Sequence, residues 1–263
     1  MERRKVYFAS DMHLGSPSSG NPAERERRVV RWLKSIKDDA RALVLVGDIF
    51  DYWFEYRTAA PQGFVRLLGT LAELSDSGVE IRYFTGNHDI WLFDYLRNEI
   101  GFTLHREAAE LEYDGKKFFV AHGDEYETED KGYQLLRKVF HAKWAQKLYS
   151  LLHPDLTIRF AKSWSNHSRK KGTERYPIVP YKGENEEYLT RFAKADAKAR
   201  EGDEDAPDFY IFGHRHLLLD LMISRKTRAI ILGDWLHYFS YGVWDGEVFS
   251  LCLFEADEGD FSY

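Results

Sequence analysis

Cysteine is almost absent from this chain of 263 residues, with Cys252 as its single example. One thiol cannot close an intrachain disulfide, and it cannot provide the several thiolates of a cysteine-based zinc site. So little cysteine is typical of reducing compartments and favours a cytoplasmic location. The chain is long enough to bury a large core without cross-links, and we expect a single domain over residues 1–263.

Long apolar runs are absent as well. No stretch of the sequence approaches the roughly 20 apolar residues that a membrane-spanning helix needs. Residues 1–10 pass from basic side chains directly into a short strand-like run, without the apolar segment of a signal peptide. We therefore expect a soluble protein, or at most one that is peripheral on a membrane.

The third absence is a general excess of basic residues, since the net charge is −6 and the sequence pI is about 6.0. This balance argues against nucleic acid as a partner, and against a nuclease. The charge is uneven, because residues 131–175 carry 11 Lys and Arg against two acidic residues. That segment is about +9 and the remainder about −15. The local positive charge predicts an anionic substrate or an anionic membrane surface.

The apolar pattern predicts an α/β fold. Short apolar, aromatic or β-branched runs occur at 6–9, 43–46, 81–84, 118–121, 209–212, 229–232 and 248–254. Apolar residues at helical spacing occupy 23–37 and 62–77, between the first three of these runs. This alternation is typical of parallel strands covered by helices, which place their chemistry at the carboxyl ends of the strands.

A different pattern follows residue 122. Residues 130–152 and 157–171 are helix-prone and strongly basic, and the strand signals return only at 209. We interpret residues 125–185 as a helical cap inserted in the domain.

Five polar clusters follow directly after predicted strands. They are Asp11-Met-His13, Gly47-Asp48-Ile-Phe-Asp51, Gly86-Asn87-His88-Asp89, His122-Gly-Asp124 and Gly213-His214-Arg-His216. Each cluster alone is an ordinary turn signal. Five in one chain, each at a strand end, are not explained by turns and indicate a shared site. His105, His141, His153 and His237 have no such context, and we expect them in the core or on the surface.

The residue types of these clusters predict a metal site. Carboxylate and amide oxygens with imidazole nitrogens suit divalent Mn, Fe, Zn or Co. An Asp can bridge two ions, and two ions about 3.5–4 Å apart can activate a water and clamp the attacking and leaving oxygens of a phosphoryl group. The expected reaction is hydrolysis of a phosphate ester or anhydride by direct in-line attack.

The five clusters resemble the signature of the calcineurin-like metallophosphoesterases, which implies a sandwich of mixed β-sheets flanked by helices. The resemblance implies that Asp11, His13 and His216 hold one metal and that Asn87, His122 and His214 hold the other. Asp48 would bridge the two.

The same resemblance assigns roles next to the metals. His88 would contact the scissile phosphate or protonate the leaving oxygen, and Asp89 would orient His88 by accepting its other ring N–H. Asp51 and Asp124 match motif positions and are expected to contact the ligands from outside.

A narrower resemblance begins at His122 and continues through Thr128, Asp130 and Tyr133-Gln134. With Asp11-Met-His-Leu-Gly, Gly47-Asp-Ile-Phe-Asp-Tyr-Trp and Leu232-Gly-Asp-Trp, it is similar to the UDP-2,3-diacylglucosamine pyrophosphohydrolases of lipid A synthesis. It implies cleavage to UMP and the acylated sugar 1-phosphate, with Mn as the metal, at the inner face of the inner membrane. The sequence departs from the best-known form at His88, where that form has Arg.

Substrate contacts are expected from both the strand ends and the cap. The candidates are Asn87, Asp130, Gln134, Ser165, Ser168, Arg169 and His214; Arg offers a planar fork to phosphate oxygens. Apolar and basic residues alternate over 137–152, which suits either acyl chains or an ordinary packed and solvated helix. The alternatives are a phosphodiesterase or pyrophosphatase that acts on a soluble nucleotide, and a non-catalytic protein-binding module that keeps the fold but has lost the metals. No obligate protein partner is inferred.

Overall fold

The strands of the protein form two mixed β-sheets that pack face to face. The computed structural model describes residues 3–17, 20–154, 157 and 180–255. The strands are β1 Lys5–Ala9, β2 Ala40–Val46, β3 Glu80–Phe84, β4 Thr103–His105, β5 Ala109–Tyr113, β6 Lys116–Ala121, β7 Phe209–Phe212, β8 Leu218–Met222, β9 Arg228–Leu232, β10 Ser240–Trp244 and β11 Phe249–Leu253. The helices are α1 Pro22–Ile36, α2 Val65–Asp76, α3 Tyr95–Ile100, α4 Lys131–His141, α5 Lys143–Ser150 and α6 Tyr188–Ala199.

The first sheet has six strands in the order β11-β10-β1-β2-β3-β4. Strands β1 to β4 are parallel to one another. At one edge of the sheet, β10 pairs antiparallel with β1, and β11 pairs antiparallel with β10. Because side chains alternate along a strand, Val6 and Phe8 face the second sheet while Tyr7 and Ala9 face the helices. The sheet is therefore apolar on both faces, as the continuous apolar runs predict.

Helices α1, α2 and α3 cover the outer face of this sheet. The start of α1 is specified locally, because Asn21 Oδ1 accepts the Ala23 N–H at 2.9 Å and Pro22 occupies the first turn. Its buried stripe includes Val29, Leu33 and Ile36.

The second sheet has five strands in the order β5-β6-β7-β9-β8. Strands β6, β7 and β9 are parallel, so their carboxyl ends share one edge. Helix α6 packs on the outer face through Leu189 and Ala193. The result is a helix, sheet, sheet, helix arrangement, which confirms the expected fold class.

The predicted helical segment 130–152 is two helices rather than one. Ala142 has an extended backbone (φ −70°, ψ 122°) and separates α4 from α5. The Phe140 carbonyl at the break accepts the Trp91 indole N–H at 3.0 Å and the Gln146 side-chain amide at 3.0 Å. Two side chains outside α4 therefore provide the hydrogen bonds of the carbonyl at the break. The predicted helix 157–171 lies, apart from its first residue, outside the described part of the chain.

Helices α4 and α5 both contact the rest of the described chain near the strand ends. Arg137 of α4 donates to Asp124 Oδ2 at 2.7 Å. Tyr149 of α5 packs on Phe54 and Trp91, with ring centroids 4.8 Å away in each case. Its hydroxyl lies 3.0 Å from that of Tyr52. Within the described residues, no helix is both long and apolar enough to cross a bilayer.

Candidate metal centre

Backbone hydrogen bonds join the loops that follow strands of both sheets. The Asp11 N–H donates to the Gly47 carbonyl at 3.1 Å, and the Gly213 N–H donates to the His122 carbonyl at 3.0 Å. The His214 N–H donates to Asp11 Oδ2 at 2.9 Å and so connects the two sheets. The loops after β1, β2, β6 and β7 therefore form one continuous surface.

Several candidate ligands have left-handed backbone conformations. Of the nine non-glycine residues with positive φ in the described segments, five are candidate ligands: Asp11, His13, Asp48, His214 and His216. Such conformations are unfavourable for residues with a Cβ and persist only where the surroundings enforce them. Five such residues in one place indicate a functional site, where an unfavourable backbone conformation is kept because it sets the direction of the side chain.

The first group of candidate ligands is Asp11, His13 and His216, whose ligand atoms all lie within 4.8 Å of one another. The two Nε2 atoms of the histidines are 3.2 Å apart, and His216 Nε2 is 3.4 Å from Asp11 Oδ1. Asp11 is fully buried, and its Oδ1 atom has no hydrogen-bond donor. A buried carboxylate oxygen without a donor is costly unless a cation contacts it, so this group fits a metal ion.

The second group is Asp48, His122 and His214, which meet the same distance limit. Asn87 belongs beside it, since its Oδ1 is 3.3 Å from His122 Nε2. Asp48 Oδ2 is 3.4 Å from His122 Nε2 and 3.8 Å from His13 Nε2. Asp48 therefore lies between the two groups, at the position that a bridging carboxylate requires.

Hydrogen bonds at Nδ1 set the tautomers of two histidines. His122 Nδ1 is 2.8 Å from the Val46 carbonyl, which can only accept, so Nδ1 carries the proton. His216 Nδ1 is 2.9 Å from the carboxylate Oδ2 of Asp234. In both rings Nε2 is therefore the nitrogen directed at the site, as a metal ligand requires.

The electrostatics of the centre favour ionised carboxylates. Burial alone would raise the pKa of Asp48, but His122 and His88 outweigh it and hold that pKa well below the ordinary value. Burial would lower the pKa of His13, but the nearby carboxylates of Asp11 and Asp51 raise it to about 9. Burial, aided by His122, lowers the pKa of His214 to about 4, which leaves that ring neutral. The negative potential that favours a proton on His13 also attracts a metal cation.

The glycine of Gly86-Asn87 permits a close approach of two strand ends. A Cβ at Gly86 would overlap Asp48 Oδ1 and lie 2.6 Å from the Asp48 backbone nitrogen. We expect Gly86→Ala to lower the free energy of unfolding by about 1–3 kcal/mol, the usual cost of overpacking. The variant should also lose metal affinity, because Asp48 must move.

Gly69 in helix α2 is the matched control, since a Cβ there meets no atom within 4 Å. Gly69→Ala is expected to stabilise the protein by up to about 1 kcal/mol through helix propensity, with metal binding unchanged. Chemical denaturation and calorimetric metal titration of both variants test this. A Gly86→Ala variant that matches the wild type in both measurements contradicts the packing argument.

The predicted hydrogen bond between Asp89 and His88 is wrong. Asp89 does not contact His88: its carboxylate accepts the Ile49 N–H at 2.9 Å, the Gly86 N–H at 2.7 Å and the Tyr83 hydroxyl. His88 Nδ1 instead lies 2.9 Å from the Asp51 carbonyl. The physical reason is that the Asp89 side chain is fully buried and bonds both to the loop after β2, at Ile49, and to the loop after β3, at Gly86.

The remaining candidates are spread over the centre and the cap. Asp51 Oδ1 is 3.7 Å from His13 Nδ1, and Asp124 holds Arg137. Asp130 caps α4 by accepting the Tyr133 N–H at 2.9 Å, and Gln134 donates to the Glu127 carbonyl at 3.2 Å. The candidates Ser165, Ser168 and Arg169 lie outside the described residues.

Sequence reasoning missed Asp234 and His237. Asp234 follows β9 directly and accepts from His216 Nδ1 and from His237 Nδ1, each at 2.9 Å. The signal was present, because Gly233-Asp234 repeats the strand, glycine, aspartate pattern of Gly47-Asp48.

The sequence is similar to those of known proteins. Residues 4–218 match the model of the calcineurin-like phosphoesterase family. A UDP-2,3-diacylglucosamine hydrolase from Porphyromonas gingivalis is 46% identical over 253 residues, which cover 93% of this chain and 95% of that protein. A UDP-2,3-diacylglucosamine hydrolase from Neisseria meningitidis serogroup A is 33% identical over 240 residues, covering 88% of this chain and 90% of that protein.

Proposed function

Because the chain belongs to the calcineurin-like phosphoesterase family, we propose that it hydrolyses the pyrophosphate of UDP-2,3-diacylglucosamine to UMP and 2,3-diacylglucosamine 1-phosphate. The observation that carries the proposal is the pair of ligand groups, with Asp48 of the second group also close to His13 of the first. The chain is also 46% identical to a hydrolase named for that substrate. The reaction belongs to lipid A biosynthesis.

The residues of the centre fit two divalent ions. Asp11, His13 and His216 would hold one, Asn87, His122 and His214 the other, and Asp48 would contact both. The donors are hard oxygens and imidazoles without thiolate, so Mn is the expected ion and Fe, Zn and Co are alternatives. When bound, the ions supply Lewis acidity and an activated water for attack on phosphorus.

In this proposal His88 acts on the substrate from the edge of the centre. Its Nδ1 is held by the Asp51 carbonyl, and its ring centroid is 4.7 Å from that of His13. With Nδ1–H donated to a carbonyl, Nε2 is the ring atom available to a phosphate oxygen. Burial lowers the pKa of His88 below its ordinary value. The negative charge of a bound pyrophosphate would raise that pKa and favour a proton on Nε2, which would then donate to the phosphate.

The cap supplies an apolar surface with a basic rim. We define the cap face as the exposed apolar side chains of the segment 135–152, which are Leu135, Trp144, Leu148, Leu151 and Leu152. They are five of the ten exposed large hydrophobic residues in the described chain. Lys138, Lys143 and Lys147 are exposed beside them. This combination suits acyl chains and an anionic lipid surface, and we propose peripheral attachment to the cytoplasmic face of the inner membrane.

A double substitution on the cap face tests the acyl assignment. Leu148→Ser with Leu151→Ser should raise KM for the diacylated substrate about tenfold, which corresponds to about 1.4 kcal/mol of lost apolar contact. Hydrolysis of a small aryl phosphodiester should not change. Both leucines are already exposed, so the melting temperature should stay the same.

Met222 and Val248 provide the control, because they are about as exposed as Leu148 but lie on or next to sheet strands outside the cap. Met222→Ser with Val248→Ser should leave both activities unchanged. Equal KM values for wild type and the cap variant on the diacylated substrate contradict the acyl assignment.

The decisive test of the proposed function compares substrates. Purified protein with Mn²⁺ is assayed on UDP-2,3-diacylglucosamine, UDP-glucose and an aryl phosphodiester, with UMP release followed directly. Fast UMP release from the acylated substrate alone is expected. Turnover of only the small compounds would leave the two-metal chemistry in place and remove the lipid assignment, in favour of a soluble nucleotide as substrate.

A further inference from the structure

We infer that Asp234 is a positioning residue for His216 and controls the metal affinity of one ligand group without affecting the other. The inference rests on the proposed function, because it concerns the metal site on which that function depends. It comes from a hydrogen-bond arrangement that supports Asp11 and His216 and has no counterpart at His122.

The Asp234 carboxylate is fully buried and has five donors. Oδ1 accepts the backbone N–H groups of Leu236, His237 and Tyr238 at 3.1, 2.7 and 3.1 Å. Oδ2 accepts from Nδ1 of His216 and from Nδ1 of His237, both at 2.9 Å. Three backbone bonds on one oxygen fix the carboxylate plane, so the other oxygen is held at a defined position.

The turn that carries Asp234 is itself attached to a candidate ligand. The Trp235 N–H donates to the Asp11 carbonyl at 3.1 Å, and the Ser240 N–H donates to the Asp234 carbonyl at 3.2 Å. Asp234 therefore relates the His216 ring to Asp11, the other member of its group. The two side chains approach a common point because one turn positions both.

The carboxylate is ionised in this environment. Five N–H donors face its two oxygens, and hydrogen bonds donated to a carboxylate favour its charged form. An ionised partner at Nδ1 requires the proton on that nitrogen and increases electron density at Nε2. His216 is thus both oriented and made a stronger ligand.

The second ligand group is supported differently. His122 Nδ1 donates to the neutral Val46 carbonyl at 2.8 Å, within a strand of the sheet. Loss of the Asp234 charge should therefore weaken one metal position and spare the other. This difference distinguishes a positioning effect from a general loss of structure, which would affect both.

The test uses the Asp234→Asn variant of the full chain. Metal-stripped wild type and variant are titrated with Mn²⁺ by calorimetry. We expect two sites in the wild type, and in the variant one site weakened by about 10–100-fold and the other unchanged. Asparagine retains an oxygen for the backbone donors but presents an NH₂ group, which cannot accept from His216 Nδ1.

Glu55→Gln is the control variant. Glu55 is also a buried carboxylate with several N–H donors, from Trp53, Phe93, Tyr95 and Leu96, and none of these is a candidate ligand. The Glu55→Gln variant should bind Mn²⁺ at both sites with the affinities of the wild type. Selective weakening in Asp234→Asn but not in Glu55→Gln supports the inference.

Other outcomes overturn it. Wild-type affinity at both sites of Asp234→Asn, or equal loss at both, overturns the positioning role while leaving the metal site of the proposed function intact. No Mn²⁺ binding by the wild type overturns that site together with the inference. If the variant does not fold, ¹⁵N NMR of the zinc-loaded wild type still decides: His216 is expected protonated at Nδ1, and an unprotonated Nδ1 overturns the inference.

Discussion

Replacement of Asp48 by alanine is expected to abolish metal-dependent hydrolysis, with kcat/KM lowered at least about 10³-fold, or about 4 kcal/mol. Asp48 Oδ2 is within 3.8 Å of Nε2 of both His13 and His122, so it is the carboxylate that both ligand groups share. Its loss would remove a ligand from each of the two proposed metals at once. UMP release and the metal content of the purified variant measure the effect.

A second substitution at this position, Asp48→Asn, separates an effect on catalysis from an effect on folding. Asp48 Oδ1 accepts the His88 N–H at 2.8 Å, so alanine also leaves a partly buried donor without its partner. Asp48→Asn keeps that acceptor and should melt near the wild-type temperature, yet it should remain inactive because the charge is lost. Full activity in either variant would show that Asp48 is not the shared ligand.

Asp51 is a useful comparison, because it lies in the same loop and its side chain is also mostly buried. Its Oδ1 contacts His13 at Nδ1, on the side away from the other ligands. Asp51→Asn should therefore reduce activity by only about 10–100-fold, the usual range for a residue that orients a ligand.

The main features of the centre could be predicted because they are local in sequence. Each of β1, β2, β3, β6 and β7 is an apolar run that ends at polar residues, and parallel strands bring such ends to one edge. The closeness of Asp11 and Asp48 follows from that rule, whereas His122 ends a strand of the second sheet and is brought to them by the packing of the two sheets.

The partners of individual side chains could not be predicted in the same way. His88 and Asp89 are adjacent in the chain, but His88 bonds to Asp51 while Asp89 bonds to Tyr83 and two backbone amides. Which way a side chain points depends on the loop conformation, and the loop conformation depends on contacts distant in sequence. Motif position alone therefore gave Asp89 a wrong partner.

Some missed elements did carry a local signal. Strands β5 and β6 are joined by Asp114-Gly115, both with positive φ, which is the sequence of a tight hairpin turn. Strand β8 had no such signal, because Leu-Leu-Asp-Leu-Met fits a helix as well as a strand. Its pairing with β9 decides the conformation, and pairing is a tertiary property.

His88→Ala is expected to retain both metals and to lower kcat by about 10²–10³-fold, the range for loss of one group that stabilises the charge of the reacting phosphate. The reason is that His88 Nδ1 is engaged by the Asp51 carbonyl, so Nδ1 is not available as a ligand atom. His88 does lie close enough to His13 and Asp51 to form a third possible ligand group. Loss of a metal from His88→Ala would show that this third group binds one, and would contradict our assignment.

A series of aryl phosphodiesters then separates the two roles considered for His88. If the imidazolium protonates the leaving oxygen, the rate loss in His88→Ala should grow as the pKa of the leaving group rises. If it only contacts the scissile phosphate, the loss should be the same across the series. The pyrophosphate substrate releases a phosphate whose second pKa is about 6, so it needs little protonation at neutral pH. We therefore expect a constant loss, with His88 acting on the charge of the phosphate rather than on the leaving group.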